Sequence, residues 1–239
     1  MNHQHIRTAG KPDFIFNTGL VAFWRSMDRS YLEAGNTLAR IVQDRFGLSL
    51  NTTTLKISRR FAGWGGLYIK QYPDELAKFL QWIYQHRQEI SNYLEIGCER
   101  GGTFFAVDSL LRAFNPEYRG GTAVDVSAKI LRHGFAAYRN LYPETSFHQV
   151  RSRNFAVGDK RFDLVLIDGD HSYNAVKADF EHFRASRFVA LHDIRCPLRG
   201  IEVRRFWAEI APRYPHVEIV NEDPGLSVPV GIGIVSNYF

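Results

Sequence analysis

Residues 92–102 read NYLEIGCERGG, a short apolar run that ends in glycines and leads into a helical pattern. Glycines here let the backbone turn sharply from a strand into a helix and let a ligand approach closely. The pattern Gly-x-Gly-x-x-Gly, which cradles a pyrophosphate, is not met, because Glu99 takes its second glycine position. With Glu95 already in the strand, two carboxylates favour a cationic or polyhydroxyl ligand. The structural alternative is a glycine turn that only permits close packing.

Downstream of this strand, short apolar runs alternate with helical patterns. The further runs lie at 121–126, 146–150, 162–168 and 187–193, and the patterns between them are TFFAVDSLLRAF, KILRHGFAAYRNLY and NAVKADFEHFRAS. Strands joined by crossover helices predict an α/β fold with a doubly wound, mostly parallel sheet that is covered on both faces.

The C-terminal part changes pattern again. A helical stretch over 200–210 is followed by the runs HVEIV and VGIGIV, with a turn predicted around Asp223-Pro224-Gly225. Two apolar runs around such a turn indicate an antiparallel hairpin. The sequence therefore predicts seven strands, of which the C-terminal one runs antiparallel to the rest.

The chain upstream of the sheet has a different organisation. From about Thr18 to Phe46, apolar residues at helical spacing predict one or two amphipathic helices, and Gly63–Gly66 predicts a loop. Pro73 suits the first turn of the next helix. We expect an N-terminal helical extension at 1–70 and a sheet domain at 71–239.

Composition bounds the class and the compartment. The chain has 239 residues, 45% of them hydrophobic and 23% charged, which excludes a disordered or fibrous protein. No apolar run approaches the roughly 20 residues of a membrane-spanning helix, and the N-terminus lacks a signal-peptide profile. Two cysteines, Cys98 and Cys196, are too few for a disulfide framework. We expect a cytoplasmic protein with no membrane partner.

The net charge of +5 comes mostly from arginine, which outnumbers lysine about threefold. Arginine is the residue of choice for bidentate binding of carboxylate or phosphate, which points to an acidic ligand. Solvated surface charge is the alternative. The basic clusters are too short for a nucleic-acid-binding tail, so a nucleic-acid partner is disfavoured.

Acidic and histidine side chains follow three of the predicted strands. Asp125 lies about 28 residues beyond Gly97, where a doubly wound nucleotide site places an acid on the ribose hydroxyls. Asp168-Gly-Asp170-His171 closes the fourth strand and His192-Asp193 closes the fifth, its expected neighbour. We therefore expect five titratable groups to converge at this edge. The alternative is that the aspartates only cap the turns and helices that follow.

This combination resembles the class I S-adenosylmethionine-dependent methyltransferases over residues 71–239. The stretch from Glu95 to Gly102 is similar to their first motif, Asp125 to their ribose-binding acid, and VGIGIV to their reversed seventh strand. The resemblance implies the Rossmann-like methyltransferase fold and S-adenosylmethionine as cofactor.

Three further motifs narrow the resemblance. They are IDGDHSY at 167–173, LHDI at 191–194 and GIEV at 200–203, ahead of Phe206-Trp207. In this order and spacing they are similar to a subgroup described as cephalosporin hydroxylase-like or macrocin O-methyltransferase-like.

The resemblance implies a set of cofactor-binding residues. Ser152, or its neighbour Arg151, would lie near the adenine, and Asp125 would hold the ribose. The full set that it implies is Glu95, Gly97, Cys98, Gly101, Asp125, Ser152 and Asp168. Cys98 has no evident base beside it, so we interpret it as a small apolar residue of the loop.

The resemblance also implies a metal site. Related metal-dependent O-methyltransferases have an Asp at the end of strand four and a pair of ligands at the end of strand five, which here gives Asp168, His192 and Asp193. His192 departs from that pattern, because it offers nitrogen where those enzymes have a carboxylate. The identity of the metal is therefore open among Mg²⁺, Mn²⁺, Fe²⁺ and Zn²⁺. Catalysis without a metal, with His171 or His192 as general base, is equally open.

We expect an enzyme that methylates a hydroxyl of a small molecule, such as a sugar, a polyketide or a phenol. Residues 1–70 would then form the lid and much of the acceptor pocket. The alternatives are a metal-dependent, hydroxylase-like enzyme, a non-catalytic protein that keeps the cofactor fold, and a nucleic-acid methyltransferase. Against the last alternative, this sequence lacks, after strand four, the motif Asn/Asp-Pro-Pro-Tyr that is typical of base-amino methylation. The oligomeric state is open, a homo-oligomer included.

Overall fold

The computed structural model describes residues 14–33, 37–46, 67, 69–157, 161–221 and 228–237. The helices are α1 (Phe14–Ser26), α2 (Ser30–Glu33), α3 (Thr37–Ile41), α4 (Pro73–His86), α5 (Gly102–Phe114), α6 (Phe135–Leu141), α7 (Tyr173–Phe183) and α8 (Val203–Ile210). The strands are β1 (Tyr93–Ile96), β2 (Gly121–Asp125), β3 (Ser146–Gln149), β4 (Leu164–Ile167), β5 (Phe188–His192), β6 (His216–Ile219) and β7 (Ile232–Ser236).

The seven strands form one sheet in the order β3-β2-β1-β4-β5-β7-β6. Strands β1 to β5 pair in parallel, and β7 pairs antiparallel with both β5 and β6. Every residue of β1, β4 and β5 is buried, as expected for parallel strands that are covered on both faces. The predicted α/β, doubly wound sheet with an antiparallel C-terminal strand is confirmed.

The strand order reverses between β1 and β4, which run side by side from the centre of the sheet. Chains leaving these two strands turn to opposite faces, so a crevice opens beyond their carboxyl ends. The register places Ile96 beside both Val124 and Ile167, and Ile167 beside Leu191. The motifs that follow β1, β2, β4 and β5 are therefore brought to one edge.

Alternate residues of the strands belong to two hydrophobic cores. Tyr93 of β1 packs into the core with α4 and α5, whereas Leu94 and Ile96 pack into the core with α7 and α8. Buried apolar residues of α1, such as Leu20 and Trp24, join the first core. The described part of the N-terminal extension therefore packs against the sheet domain; its role as a lid stays a prediction.

Local chemistry breaks two of the predicted helical stretches. The Asp28 carboxylate accepts a hydrogen bond from the Ser30 backbone N–H at 2.9 Å and separates α1 from α2, so 18–46 holds several short helical segments. Gly134, with φ of +90°, separates the 3₁₀ turn Lys129–His133 from α6. Gly63–Gly66 and Asp223-Pro224-Gly225 lie outside the described residues.

Among the helices that the structure describes, none combines the length and the apolar character needed to cross a membrane.

Candidate functional site

The loop after β1 is held by close backbone packing. Gly97 has φ of +87°, and a Cβ there would lie 2.1 Å from the carbonyl oxygen of Asp168, so only glycine fits. Two residues on, the Glu99 backbone N–H donates to Asp125 Oδ2 at 2.7 Å. This hydrogen bond fastens the loop to the end of β2.

A cavity of about 930 Å³ opens beyond the ends of β1 to β4. Its volume lies at the upper end of the range for small-molecule and cofactor pockets. Its lining includes four of the residues that the sequence predicts to bind a cofactor, namely Gly97, Asp125, Ser152 and Asp168. The cavity therefore lies where strand order reverses, the expected ligand position of an open α/β sheet.

Asp125 lines this cavity and also holds the local backbone. Its Oδ1 accepts the Ser127 N–H and its Oδ2 accepts the Glu99 N–H, each at 2.7 Å. The turn-capping alternative for Asp125 is thus present in the structure. A carboxylate offers about four acceptor positions, so capacity remains for ligand hydroxyls.

The two carboxylates of the first loop bring less negative charge than the sequence suggests. Burial raises the pKa of Glu95 to about 8, and its Oε2 accepts the Tyr93 hydroxyl at 2.6 Å. Glu99 pairs with Lys70 at 2.9 Å and Lys129 at 3.0 Å. Although burial opposes it, these ammonium groups lower the pKa of Glu99. One acid is thus neutral near pH 7 and the other is paired, which weakens the case for a cationic ligand at this turn.

Three predicted cofactor-binding residues do not line the cavity. Glu95 is 2% exposed, and Cys98 packs in the core, where burial raises the pKa of its thiol. Gly101 has φ of +84°, and a Cβ there would contact Ile130 at 2.7 Å. All three shape the loop from behind; direct contact with a cofactor stays a prediction for them.

Beside the cavity, Asp168, His192 and Asp193 come together at the ends of β4 and β5. Their ligand atoms all lie within 4.8 Å of one another. His171 joins them, with Nε2 at 3.3 Å from Asp168 Oδ1 and 3.4 Å from Asp193 Oδ2. With Glu75 of α4, described next, these residues form what we call the acid–histidine cluster.

His192 lies between two carboxylates. Its Nδ1 is 3.1 Å from Asp168 Oδ1, and its Nε2 is 2.9 Å from Glu75 Oε1. Burial opposes a charge on the ring, but Asp168, Asp193 and Glu75 together raise the pKa of His192 well above its usual value. Although burial opposes it, the two histidines hold the pKa of Asp168 far below its usual value.

The cluster also carries backbone strain. Asp193 has φ of +66°, in the left-handed region that residues other than glycine rarely adopt. Such conformations persist where the surrounding structure holds them, and they concentrate at functional sites. At the other end of the cluster, Glu75 Oε2 is buried with no hydrogen-bond partner among the described residues.

Asp170 does not join the cluster, which corrects the expectation that five titratable groups converge. Its Oδ1 accepts the Ser172 N–H at 3.0 Å, ahead of α7, and the carboxylate is exposed. It lines the cavity instead. The reason is local: a capping Asp is fixed by the turn in which it stands.

Two members of the site were missed by the sequence analysis. Gln71 Nε2 donates to Asp168 Oδ2 at 2.9 Å and its Oε1 accepts the Thr103 hydroxyl at 2.6 Å. Glu75 stands in the first turn of α4, where an acid ordinarily complements the helix dipole. The one signal was its position on the apolar stripe of α4, four residues before Phe79, where a charge is out of place.

Residues 94–191 match the sequence family described as a methyltransferase domain. The match covers less than half of the chain, so it shows a similarity in sequence over this part. The matched range includes the cavity residues Gly97, Asp125 and Ser152, and it ends one residue before His192.

Solved structures with this fold differ in their named chemistry. An O-methyltransferase from Bacillus cereus in complex with SAH is 17% identical, with a TM-score of 0.51 over 90% of this chain and 99% of that one. A cyclopropane-fatty-acyl-phospholipid synthase-like protein from Lactobacillus casei is 11% identical, with a TM-score of 0.51 over 87% and 100%. A candidate RNA methyltransferase from Pyrococcus horikoshii is 14% identical, with a TM-score of 0.52 over 86% and 100%. At these identities the likenesses show the fold alone.

A curated protein, the uncharacterised y4gI of Sinorhizobium fredii, is 40% identical over 63 residues. These residues are 25% of this chain and 7% of that protein, so the shared segment is a small part of the relative.

Proposed function

We propose that the protein is an S-adenosylmethionine-dependent methyltransferase that methylates a hydroxyl of a small molecule. One observation carries the proposal: the cavity lined by Gly97 and Asp125 shares Asp168 and His171 with the acid–histidine cluster. A nucleoside-sized pocket and a group of proton-accepting side chains thus meet at these two residues.

Unused acceptors in the cavity suit this cofactor. Asp125 retains capacity for ribose hydroxyls, as described above. Within the described ranges, Asp179 Oδ2 is buried with no hydrogen-bond partner, although Asp179 also interacts with Ser152, and both residues line the cavity. A buried polar atom without a partner is costly unless a ligand or water satisfies it. The adenine amino group is a donor that would do so.

S-adenosylmethionine supplies an electrophilic methyl group on its sulfonium. The protein must place an acceptor oxygen in line with that group and remove its proton. His171 is the better base, because its side chain is 31% exposed and it lines the cavity. Burial opposes it, but Asp168 and Asp193 raise the pKa of His171 and so stabilise the ring once it has taken the proton. His192 is held on both sides and buried, which suits positioning rather than proton transfer.

Asp168, His192 and Asp193 fit a divalent cation. Two carboxylates and one imidazole make an oxygen-rich donor set, compatible with Mg²⁺ or Mn²⁺. A cation held there would supply Lewis-acid stabilisation of an acceptor oxyanion. We therefore propose that this chain belongs to the cephalosporin hydroxylase-like or macrocin O-methyltransferase-like subgroup and that a divalent metal assists its reaction.

The hydroxylase-like alternative is less favoured. Among the residues that the structure describes, the group with ligand atoms within 4.8 Å of one another holds one histidine and two aspartates. Non-haem iron oxygenases typically use two histidines and one carboxylate.

Isothermal titration of the full chain with S-adenosylmethionine, with and without Mn²⁺, tests the proposal. We expect micromolar binding that Asp125→Ala weakens by about 10-fold or more, since charged hydrogen bonds are lost. We expect a separate Mn²⁺ signal that Asp168→Ala abolishes. Asp74→Ala, at a half-buried position in the first turn of α4 outside the cavity and the acid–histidine cluster, is the matched control and should change neither. Absence of S-adenosylmethionine binding by the wild type would refute the methyltransferase proposal. Absence of Mn²⁺ binding would refute only its metal part.

If both ligands bind, hydroxyl acceptors can be screened for methyl transfer. RNA serves as the competing acceptor in the same screen. Binding of RNA that falls steeply with salt, together with transfer to it, would replace the small molecule as substrate.

A further inference from the structure

Glu75 is the most deeply buried member of the acid–histidine cluster and the one that no motif marks. Its side chain comes from α4 and is 0% exposed. Glu75 contacts one ring nitrogen of His192, whereas Asp168 and Asp193 contact the other. Oε1 lies 2.9 Å from His192 Nε2, and Oε2 has no hydrogen-bond partner in the part of the chain that the structure describes. A carboxylate in this setting is costly, so its retention calls for a role.

The two nitrogens of His192 face different groups. Nε2 lies 2.9 Å from Glu75 Oε1, whereas Nδ1 faces Asp168 Oδ1 at 3.1 Å and Asp193 Oδ1 at 3.6 Å. A neutral imidazole carries its proton on one nitrogen and a lone pair on the other. When a cation displaces the proton from Nδ1, the Nε2–H stays on Glu75 and the lone pair on Nδ1 points at the two aspartates.

We propose that Glu75 is a positioning residue that fixes the His192 ring with Nε2–H on its carboxylate, so that Nδ1 can bind a divalent cation together with Asp168 and Asp193. This inference rests on the metal part of the proposed function. Histidines that bind metals generally donate their other ring N–H to a carboxylate or carbonyl, and losing that partner typically costs about 10–100-fold in metal affinity.

Helix stability does not account for Glu75. Asp74 already supplies an acid to the first turn of α4, where it pairs with Lys78 at 2.9 Å. The neighbours of Glu75 on the helix, Leu76 and Phe79, are fully buried and apolar. A residue needed only for packing at this position would be apolar too.

The test is a titration of the full chain with Mn²⁺, in which electron paramagnetic resonance measures the free ion. It is carried out on the wild type, Glu75→Gln and Asp74→Asn. Glutamine keeps the size of Glu75 but lacks the charge that makes it a dedicated acceptor. We expect Glu75→Gln to weaken Mn²⁺ binding about 10–100-fold. Its melting temperature and its affinity for S-adenosylmethionine should stay at the wild-type values. Asp74→Asn, the matched control, should leave all three unchanged.

A double-mutant cycle with His192→Asn shows whether Glu75 acts through the ring. Without the imidazole there is nothing for Glu75 to orient, so Glu75→Gln should weaken Mn²⁺ binding no further in that background. An equal loss in both backgrounds, or a loss accompanied by a lower melting temperature and weaker S-adenosylmethionine binding, would show a general structural role and overturn the inference. Wild-type Mn²⁺ affinity in Glu75→Gln would overturn it too, and would leave the proposed function intact. A wild type that binds no Mn²⁺ removes the metal site and this inference together.

Discussion

The protein has two buried clusters of charged side chains, one around Asp108 of α5 and the acid–histidine cluster at the ends of β4 and β5. The two clusters differ in how completely their polar atoms are hydrogen-bonded. The first surrounds Asp108 of α5. Its Oδ2 accepts Arg112 Nε and the Tyr138 hydroxyl, each at 2.6 Å, and its Oδ1 accepts the Tyr118 hydroxyl at 2.7 Å. Arg112 further donates to Thr145 at 2.7 Å and to Glu144. Each carboxylate oxygen of Asp108 thus accepts at least one hydrogen bond, and Arg112 pairs with both carboxylates.

The acid–histidine cluster lacks this match. Three carboxylates share two histidines, and Asp193 has a left-handed backbone. Among the residues that the structure describes, Glu75 Oε2 has no hydrogen-bond partner. A closed network of hydrogen bonds rigidifies a fold, whereas leftover acceptors at a pocket are free to bind a ligand. A buried charge alone therefore does not mark a binding site. Buried polar atoms that lack hydrogen-bond partners next to a cavity do.

The largest effect should follow from breaking the Asp108 cluster. Asp108→Ala removes the buried counter-charge of Arg112, which then keeps only its pair with the exposed side chain of Glu144. Removing one partner of a buried ion pair costs about 3–5 kcal/mol in the free energy of unfolding. Urea unfolding at pH 7 measures this cost, with Asp74→Ala, at a half-buried position on α4, as control. A loss below about 1 kcal/mol would mean that this cluster is not a structural element.

The second effect should separate binding from stability in the acid–histidine cluster. Asp193→Asn removes one of three clustered negative charges, and Asn tolerates the left-handed conformation better than most residues. We expect the free energy of unfolding to stay within about 1 kcal/mol of the wild type. Mn²⁺ affinity should fall by about 100-fold or more, because losing a direct ligand costs more than losing a residue that only hydrogen-bonds to a ligand.

Urea unfolding and Mn²⁺ titration on the same preparation check both parts. A large loss of stability with unchanged Mn²⁺ affinity would reverse the comparison, because the cluster would then resemble that of Asp108.

The contrast also shows how far the sequence could lead. Apolar runs separated by helical patterns predicted the sheet, because parallel strands must be buried on both faces and joined by crossovers. Asp168, His192 and Asp193 were found because they end neighbouring parallel strands, whose carboxyl ends share one edge. Position along the chain was sufficient there.

Residues that reach the site from a helix face could not be found in this way. Gln71 and Glu75 lie some 95 or more positions before Asp168 and His192, and only the packing of α4 against the sheet brings them close. Asp170 shows the opposite error: it is adjacent in sequence, but its own turn directs it away. Charge was also misjudged from sequence, since burial neutralises Glu95 and lysines pair with Glu99.

The third prediction concerns Glu95, which is close enough to the acid–histidine cluster for Asp168 and His192 to affect its pKa. The folded protein has a Glu95 pKa of about 8, raised by burial from a model-peptide value of 4.5. Between these values the folded chain holds a proton that the unfolded chain has released, so unfolding releases it and rising pH destabilises the fold. Between pH 6 and pH 7, Glu95 should lower the free energy of unfolding of the wild type by about 1 kcal/mol.

Glu95→Gln mimics the protonated side chain and can still accept the Tyr93 hydroxyl. Urea unfolding of both proteins at pH 6 and pH 7 isolates this group. The stability of the wild type relative to Glu95→Gln should fall as pH rises. A constant difference between the two proteins would show that Glu95 is ionised throughout and that the region around it is more polar than its burial indicates.

The smallest effect should come from the pairs at the mouth of the cavity. Lys70 and Lys129 bind Glu99, but their side chains are 47% and 50% exposed, so water and salt screen the attraction. Lys70→Met should change the free energy of unfolding by about 0.5 kcal/mol or less, because Lys129 still neutralises Glu99. Raising the salt concentration should shrink even this difference. The Glu99 backbone, held by Asp125, does not depend on either lysine. A loss above about 1 kcal/mol that persists in high salt would therefore mean that Lys70 contributes by the packing of its stem, and not by its charge.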